Sequence, residues 1–139
     1  MSPESRRTAG ILLIVLPTVI LGGVSLLTLL IHPASGYKAN PLRQDLWRAG
    51  QAHAGVLLIL SLVALRYVDE ANLSDRMKNL VRSAIPSSAI LLPLAFFCSI
   101  LSADAREPNA LIYLAYVGAA VLITGLLVLG VGLVKKPKE

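Results

Sequence analysis

The sequence predicts an all-α polytopic membrane protein, a bundle of four transmembrane helices with both termini in the cytoplasm. Hydrophobic residues make up 55% of the 139 residues and charged residues only 15%. The mean hydropathy is +0.71, which is too high for a soluble domain of this size. Four long apolar runs are separated by short polar segments, and the basic residues are concentrated on one side of these runs.

Each apolar run is long enough to cross a bilayer, which requires about 20 helical residues. We expect helices at approximately residues 10–32, 49–68, 80–102 and 110–134. The first run exceeds the apolar stretch of about 7 to 15 residues that is usual in a signal peptide, so we interpret it as a span. Pro17, Pro86 and Pro93 lie within runs and predict bends, which spanning helices tolerate. The whole chain, residues 1–139, is then one transmembrane domain.

The basic residues assign an orientation to these spans. Nine of the thirteen lysines and arginines lie on the side of the termini, and four lie on the other side. The positive-inside rule makes the terminal side cytoplasmic and predicts a multi-pass protein of the cell membrane. The net charge of +5 is thereby an orientation signal. We expect the lipid bilayer as a partner and no nucleic acid, because the basic residues are not interleaved with aromatics on a polar face.

The last apolar run contains a stripe of small residues. Gly118, Gly125 and Gly132 are spaced by seven, which places them on one side of a helix and permits close approach of another backbone. Two uses are open at this point. The stripe packs within the four-helix bundle, or it forms the interface of a homo-oligomer.

Polar side chains from all four spans lie at similar depth near the outer side. An ionisable group inside a membrane is by default a functional hypothesis, so we expect a binding site for a small ligand here. The candidate residues are His53, Arg48, Gln51, Tyr113 and Tyr116. Gln51 and His53 are two residues apart, about 200° around a helix, and therefore face different directions.

A second histidine, His32, ends the first span. Imidazole suits iron, copper and zinc, so His32 and His53 would supply two ligands to a haem or a metal ion if they faced each other. The alternative is that His53 bonds to a neighbouring helix or to water and that His32 lies at the interface. The single cysteine, Cys98, excludes an internal disulfide and a zinc site of the CxxC kind. No phosphate-binding loop, HExxH motif or nucleophile elbow is present.

The run at residues 48–55, RAGQAHAG, and the segment before it resemble a family of uncharacterised four-helix bacterial integral membrane proteins. In that family an H-A-H-A-G run often opens the second span. Gln51 stands in place of the first histidine, so ligation by two histidines of this run is not implied. The resemblance implies the four-helix fold and brings no known activity.

The same segment is also similar to the membrane-associated eicosanoid and glutathione metabolism proteins, which are four-helix trimers with an R-A-x-x-A-H run near the start of helix two. The matching residues are Arg48, Ala49, Ala52 and His53. The asparagine and glutamate that help bind glutathione in that family are replaced by Gly55 and Leu58.

Three functions are therefore open from the sequence. The first is an accessory membrane protein that binds a small ligand or cofactor at the outer polar residues. The second is a membrane enzyme, either a glutathione-dependent transferase or a haem redox protein. The third is a structural subunit.

Overall fold

The structure is a computed structural model that describes residues 1–135. Its long helices are α1 (Pro3–Ile31), α2 (Pro41–Val68), α3 (Asp75–Cys98) and α4 (Leu114–Val134). The 3-10 turns Pro33–Ser35 and Tyr37–Ala39 join α1 to α2, and Ala110–Tyr113 leads into α4. All four helices are long and apolar enough to cross a membrane, which confirms the expected four-helix transmembrane fold. Two basic residues of the orientation argument, Lys136 and Lys138, lie outside the described residues.

Three of the helices begin earlier than the apolar runs suggest. Their N-caps are Ser2, Asn40 and Ser74, and each side chain accepts a hydrogen bond from an amide three residues later. Such a cap satisfies one of the free amides at a helix start. The polar residues 41–48, expected as a connection, therefore form the first turns of α2. The expected starts at residues 10, 49 and 80 mark where the chain becomes apolar, and not where each helix begins.

The helices are not packed equally. α3 packs closely along both α2 and α4, whereas α1 packs mainly against α2. Over the described residues, the backbone of α1 approaches neither α3 nor α4 closely. Side chains still connect α1 to the core, because Leu12 joins Leu58 of α2 and Ala89 of α3 in one buried cluster. The result is a tight unit of α2, α3 and α4 with α1 on its side.

The glycine stripe of α4 faces α3 of the same chain. A methyl group added at Gly118 would lie 2.9 Å from Leu92, and one added at Gly125 would lie 2.8 Å from Ile85. Gly132 is also buried. The stripe thus serves packing within the bundle, one of the two uses that the sequence left open, and a homo-oligomer interface through it stays a prediction.

Both described ends of the chain lie at the same end of the bundle. The amide of Ser2 donates to Asp69, at the end of α2, over 2.7 Å. The amide of Asn72 donates to the carbonyl of Gly132, near the end of α4, over 2.8 Å. We call this the terminal end and the opposite one the loop end. That the terminal end faces the cytoplasm stays a prediction from the charges.

Candidate functional site

His53 is positioned by contacts on two sides of its ring. The ring stacks on Phe96 of α3, with centroids 5.1 Å apart and planes at 29°. Its Nδ1 lies 2.7 Å from the carbonyl oxygen of Ala49, so we assign the proton to Nδ1 and acceptor character to Nε2. Within residues 1–135, Nε2 has no hydrogen-bond partner. The half-buried ring therefore keeps one nitrogen available.

Gln51 faces α1, whereas His53 faces α3, in agreement with the prediction that the two side chains point in different directions. Its side-chain amide donates to the carbonyl of Val19 over 2.6 Å. It lies over Gly22 and Gly23, and a methyl group added at Gly22 would be 2.8 Å from the Gln51 Oε1 atom. Polar side chains commonly join helices in this way inside a bilayer. Gln51 thus joins α1 to α2 and has one of its two side-chain amide hydrogens already bonded.

The remaining candidate residues do not converge on His53. Arg48 pairs with Asp45 over 2.8 Å, and 60% of its side chain is exposed. Tyr113 and Tyr116 stack on each other with centroids 6.2 Å apart, and both are largely exposed. His32 is exposed at the end of α1. In the part of the chain that the structure describes, no three His, Cys, Asp or Glu side chains are grouped to hold a metal ion.

The loop end is held instead by a cluster around Trp47. The indole N–H of Trp47 donates to the carbonyl of Phe97 over 3.1 Å, and the Tyr37 ring stacks on it at 5.6 Å. The Arg43 guanidinium lies 4.1 Å from the centre of the Trp47 ring and donates to the carbonyl of Leu101. Burial raises the pKa of Tyr37. This cluster fixes the connections at the loop end.

A wide cavity of about 620 Å³ lies between those connections. The side-chain amide of Asn40, on its wall, already donates to the carbonyls of Ala103 and Ala105, over 2.8 and 2.9 Å. Asp104 and Arg106 on the same wall are exposed. The cavity is thus an open depression between two connecting segments that are hydrogen-bonded to each other through Asn40.

The terminal end contains a partly buried ion pair. Arg82 Nη2 lies 2.6 Å from Asp69 Oδ1, with only 12% and 18% of the two side chains exposed. The hydroxyl of buried Ser5 donates to Asp69 and accepts from Arg82 Nε. Burial alone would raise the pKa of Asp69, but hydrogen bonds from the Ser2 amide and from the side chains of Arg82, Ser2 and Ser5 lower it to about 2. We call Ser2, Ser5, Asp69 and Arg82 the Asp69–Arg82 cluster.

A groove separates α1 from α3 and is open to the membrane. It runs from Thr8 to Val19 on α1 and from Ser83 to Phe97 on α3, with Leu58 of α2 between them. Its volume is about 480 Å³. The groove exists because the backbones of α1 and α3 do not approach each other closely. We call it the α1–α3 groove.

The walls of the α1–α3 groove are apolar apart from four hydroxyl groups. These belong to Thr8, Thr18, Ser83 and Ser87, and each donates to a carbonyl of its own helix over 2.7 to 3.1 Å. Hydroxyls bonded in this way present little unsatisfied polarity. No titratable side chain is among the described residues that line the groove.

A second, polar cavity lies at the terminal end. It also measures about 480 Å³, and its wall includes Glu4, Asp75, Lys78 and the Asp69–Arg82 cluster residues Ser2, Asp69 and Arg82. Glu4 lies one turn before Thr8 on α1, and Arg82 immediately precedes Ser83 on α3. The two cavities therefore follow the same pair of helices. We call this one the terminal cavity.

No protein-family model, no curated protein and no solved structure matches this chain. The two likenesses of the run at residues 48–55 therefore stay expectations.

Proposed function

We propose that this chain is a non-catalytic membrane protein that binds the alkyl chain of a lipid in the α1–α3 groove. The observation that carries the proposal is the separation of α1 from α3, which leaves about 480 Å³ of apolar space open to the membrane. This moves the expected ligand site from the outer polar residues to the side of the bundle. Among those residues, Gln51 bonds to Val19 and Arg48 to Asp45, and Tyr113 and Tyr116 are largely exposed.

The dimensions of the groove suit a single alkyl chain. The groove extends about 16 Å along α1, from Thr8 to Val19, and about 21 Å along α3, from Ser83 to Phe97, at about 1.5 Å per helical residue. Its volume is about 480 Å³. An extended alkyl chain can lie along that length.

The position of the groove also suits a lipid. On α1 it occupies the half of the helix nearer the terminal end. Its length, about 16 Å along α1 and about 21 Å along α3, is shorter than the hydrocarbon core, which is about 30 Å thick. A lipid of one leaflet supplies a chain over that depth, whereas a partner span would cross the whole core.

The walls indicate binding rather than reaction. Every hydroxyl on them is bonded to its own helix, and the described lining residues provide no acid, base or thiol. Inside a bilayer, association depends on van der Waals packing because lipid is as apolar as the groove. We therefore expect retention of the bound lipid to depend on the shape of the groove.

Native mass spectrometry of the detergent-purified chain tests the proposal. Ser87 is exposed on the groove wall, so Ser87→Trp fills the groove without entering the core. Ile123, 56% exposed on α4 and away from the groove, gives the matched control Ile123→Trp. We expect lipid to remain on the wild-type chain and on Ile123→Trp, and to be lost from Ser87→Trp. Equal retention by all three, or no retention by any, would refute the proposal.

A second candidate function rests on His53. Its Nε2 is an acceptor without a hydrogen-bond partner among residues 1–135, which leaves it available to a small ligand or to a haem iron. An absorption spectrum of the purified chain tests this. A Soret band that is lost in His53→Ala and kept in His32→Ala would support it, and identical featureless spectra would remove haem binding from consideration.

A further inference from the structure

We propose that the α1–α3 groove selects an alkyl chain that carries a hydroxyl group partway along its length, and that the backbone carbonyl of Ala89 accepts the hydrogen bond from that hydroxyl. This assignment rests on the proposed function, because it adds a chemical class to the lipid in the groove. The two can fail separately, since binding of a chain needs only the shape of the groove and selection needs the carbonyl.

The proline at position 93 leaves the carbonyl of Ala89 without its helical partner. Pro93 lies inside α3, and proline has no N–H to donate to the carbonyl four residues earlier. Ala89 and Pro93 are both buried and both line the groove, with only 9% of Ala89 exposed. The missing hydrogen bond would have joined these two residues. The freed oxygen therefore lies between them, on the floor of the groove.

No neighbouring hydroxyl replaces the missing hydrogen bond. In spanning helices, serine and threonine side chains are among the groups that pair with a carbonyl freed by proline. Here Ser87 and Ser88 donate instead to the carbonyls of earlier α3 residues, over 2.7 and 2.6 Å. The threonine hydroxyls on the opposite wall donate within α1. Within residues 1–135, no hydroxyl donates to the carbonyl of Ala89.

The freed carbonyl lies deep in the membrane span. Ala89 is near the middle of α3, which runs from Asp75 to Cys98. It is about 9 Å deeper than Ser83, the first groove residue of this helix, at about 1.5 Å per residue. An unpaired carbonyl in hydrocarbon costs free energy, and so does an unpaired hydroxyl at the same depth. A hydrogen bond between the two removes both costs, whereas an unsubstituted chain removes neither.

The other prolines of the described spans do not create an equivalent acceptor. Pro86 also lines the groove, but the carbonyl that it frees belongs to Arg82, at the polar terminal end. Pro17 is exposed on α1, and the described groove residues do not include it. Among the freed carbonyls of residues 1–135, that of Ala89 is therefore the one with an apolar groove beside it.

The depth of Ala89 sets the position of the hydroxyl on the chain. An extended chain of single bonds advances about 1.2 Å per bond, as an extended peptide backbone does, so a depth of about 9 Å corresponds to about seven or eight bonds. A chain whose ester lies near Ser83, at the end of the groove nearer the terminal end, then places its middle carbons beside Ala89. The expected ligand is a lipid with a mid-chain hydroxyl.

Competition between acyl chains tests the inference. The full chain in detergent is incubated with equal amounts of three phosphatidylcholines, which carry a stearoyl chain, a stearoyl chain with a mid-chain hydroxyl, and the methyl ether of that hydroxylated chain. Native mass spectrometry identifies the bound lipid. We expect the hydroxylated lipid to be enriched about fivefold over each of the others, because a hydrogen bond inside a membrane supports about that ratio.

The methyl ether separates hydrogen-bond donation from polarity without any change to the protein. It accepts a hydrogen bond but has no hydrogen to donate, so it should bind no better than the plain stearoyl lipid. Equal enrichment of the ether and the hydroxylated lipid would refute the role of the carbonyl. Equal binding of all three lipids would also refute it and would leave the groove proposal intact. Absence of all lipid from the wild-type chain would refute both.

Two proline variants locate the acceptor. Pro93→Ala restores an N–H for the carbonyl of Ala89, so this variant should retain lipid and lose the preference for the hydroxylated chain. Pro86→Ala is the matched control, because it makes the same change on the same groove wall and pairs the carbonyl of Arg82 instead. It should keep the preference. Loss of the preference in Pro86→Ala and not in Pro93→Ala would overturn the assignment to Ala89.

Discussion

Arg82 of α3 and Asp69 at the end of α2 form an ion pair of 2.6 Å that also holds the first turn of α1. Ser5 of α1 lies between the two charges, fully buried, and bonds to both. Removing one partner of a buried ion pair leaves the other charge uncompensated. Three helices consequently depend on this pair.

Arg82→Ala should lower the free energy of unfolding by about 3 kcal/mol, since it leaves the Asp69 carboxylate without its cation. Unfolding in mixed micelles measures this. The matched control is Arg66→Ala, because Arg66 pairs with Glu70 over 3.1 Å with 62% and 52% of the side chains exposed. Exposed pairs contribute about 0–1 kcal/mol. Equal losses of unfolding free energy in the two variants would show that the Asp69–Arg82 pair contributes no more to stability than an exposed pair.

Stability should fall in acid through Asp69. The pKa of this carboxyl is about 2 in the folded chain, against an ordinary value of 3.8. A depressed folded pKa adds stability that is fully present above about pH 5 and is progressively lost as the pH falls toward 2, by about 2 kcal/mol. Asp69→Asn should therefore show a shallower loss between pH 4 and pH 2, measured by unfolding at each pH. Parallel curves for the two proteins would contradict this assignment.

Gly125→Val should destabilise the contact between α3 and α4. A methyl group at Gly125 would lie 2.8 Å from Ile85 and 3.2 Å from Ala84, and forced overpacking costs about 1–3 kcal/mol. Gly130 has no atom within 4 Å of such a methyl group. Gly130→Val is therefore the control with the same change in helix propensity, and thermal unfolding should separate the two. A similar melting temperature for both would argue against close packing at Gly125.

The orientation can be tested with reporter fusions. The excess of basic residues on the terminal side predicts that a reporter fused after Val134 is cytoplasmic and one inserted after Ser102 is outside. Alkaline phosphatase, which is active only outside, should work at the second position alone. Activity at the first position and not at the second would reverse the orientation.

The sequence was sufficient for the spans because a bilayer requires long apolar helices. The starts of the helices were harder to predict, since the N-caps Ser2, Asn40 and Ser74 lie in polar sequence. The opposite directions of Gln51 and His53 followed from helix geometry, and the contacts of Gln51 with Val19 and of His53 with Phe96 agree with it.

The sequence predicts the depth of the outer polar residues in the membrane, but it does not predict the direction in which each side chain points from its helix. Depth follows from the position of a residue in its span. Whether side chains of different helices converge on one site depends on how each helix is rotated about its own axis. Tyr113 and Tyr116 accordingly contact each other, and Arg48 bonds to Asp45. The α1–α3 groove had one signal in the sequence. Pro86 and Pro93 are seven apart, hence on one side of α3, and both line the groove.

The Asp69–Arg82 cluster sets an order for biosynthesis. Ser5 bonds to Arg82, which follows it by 77 residues, whereas Val19 bonds to Gln51, which follows by 32. A ribosome adds about 5–20 residues per second, so Arg82 is made about 4–15 s after Ser5. During translation the N-terminal hairpin can therefore close through Gln51 first, and its anchor at the terminal end is completed only when the third span emerges.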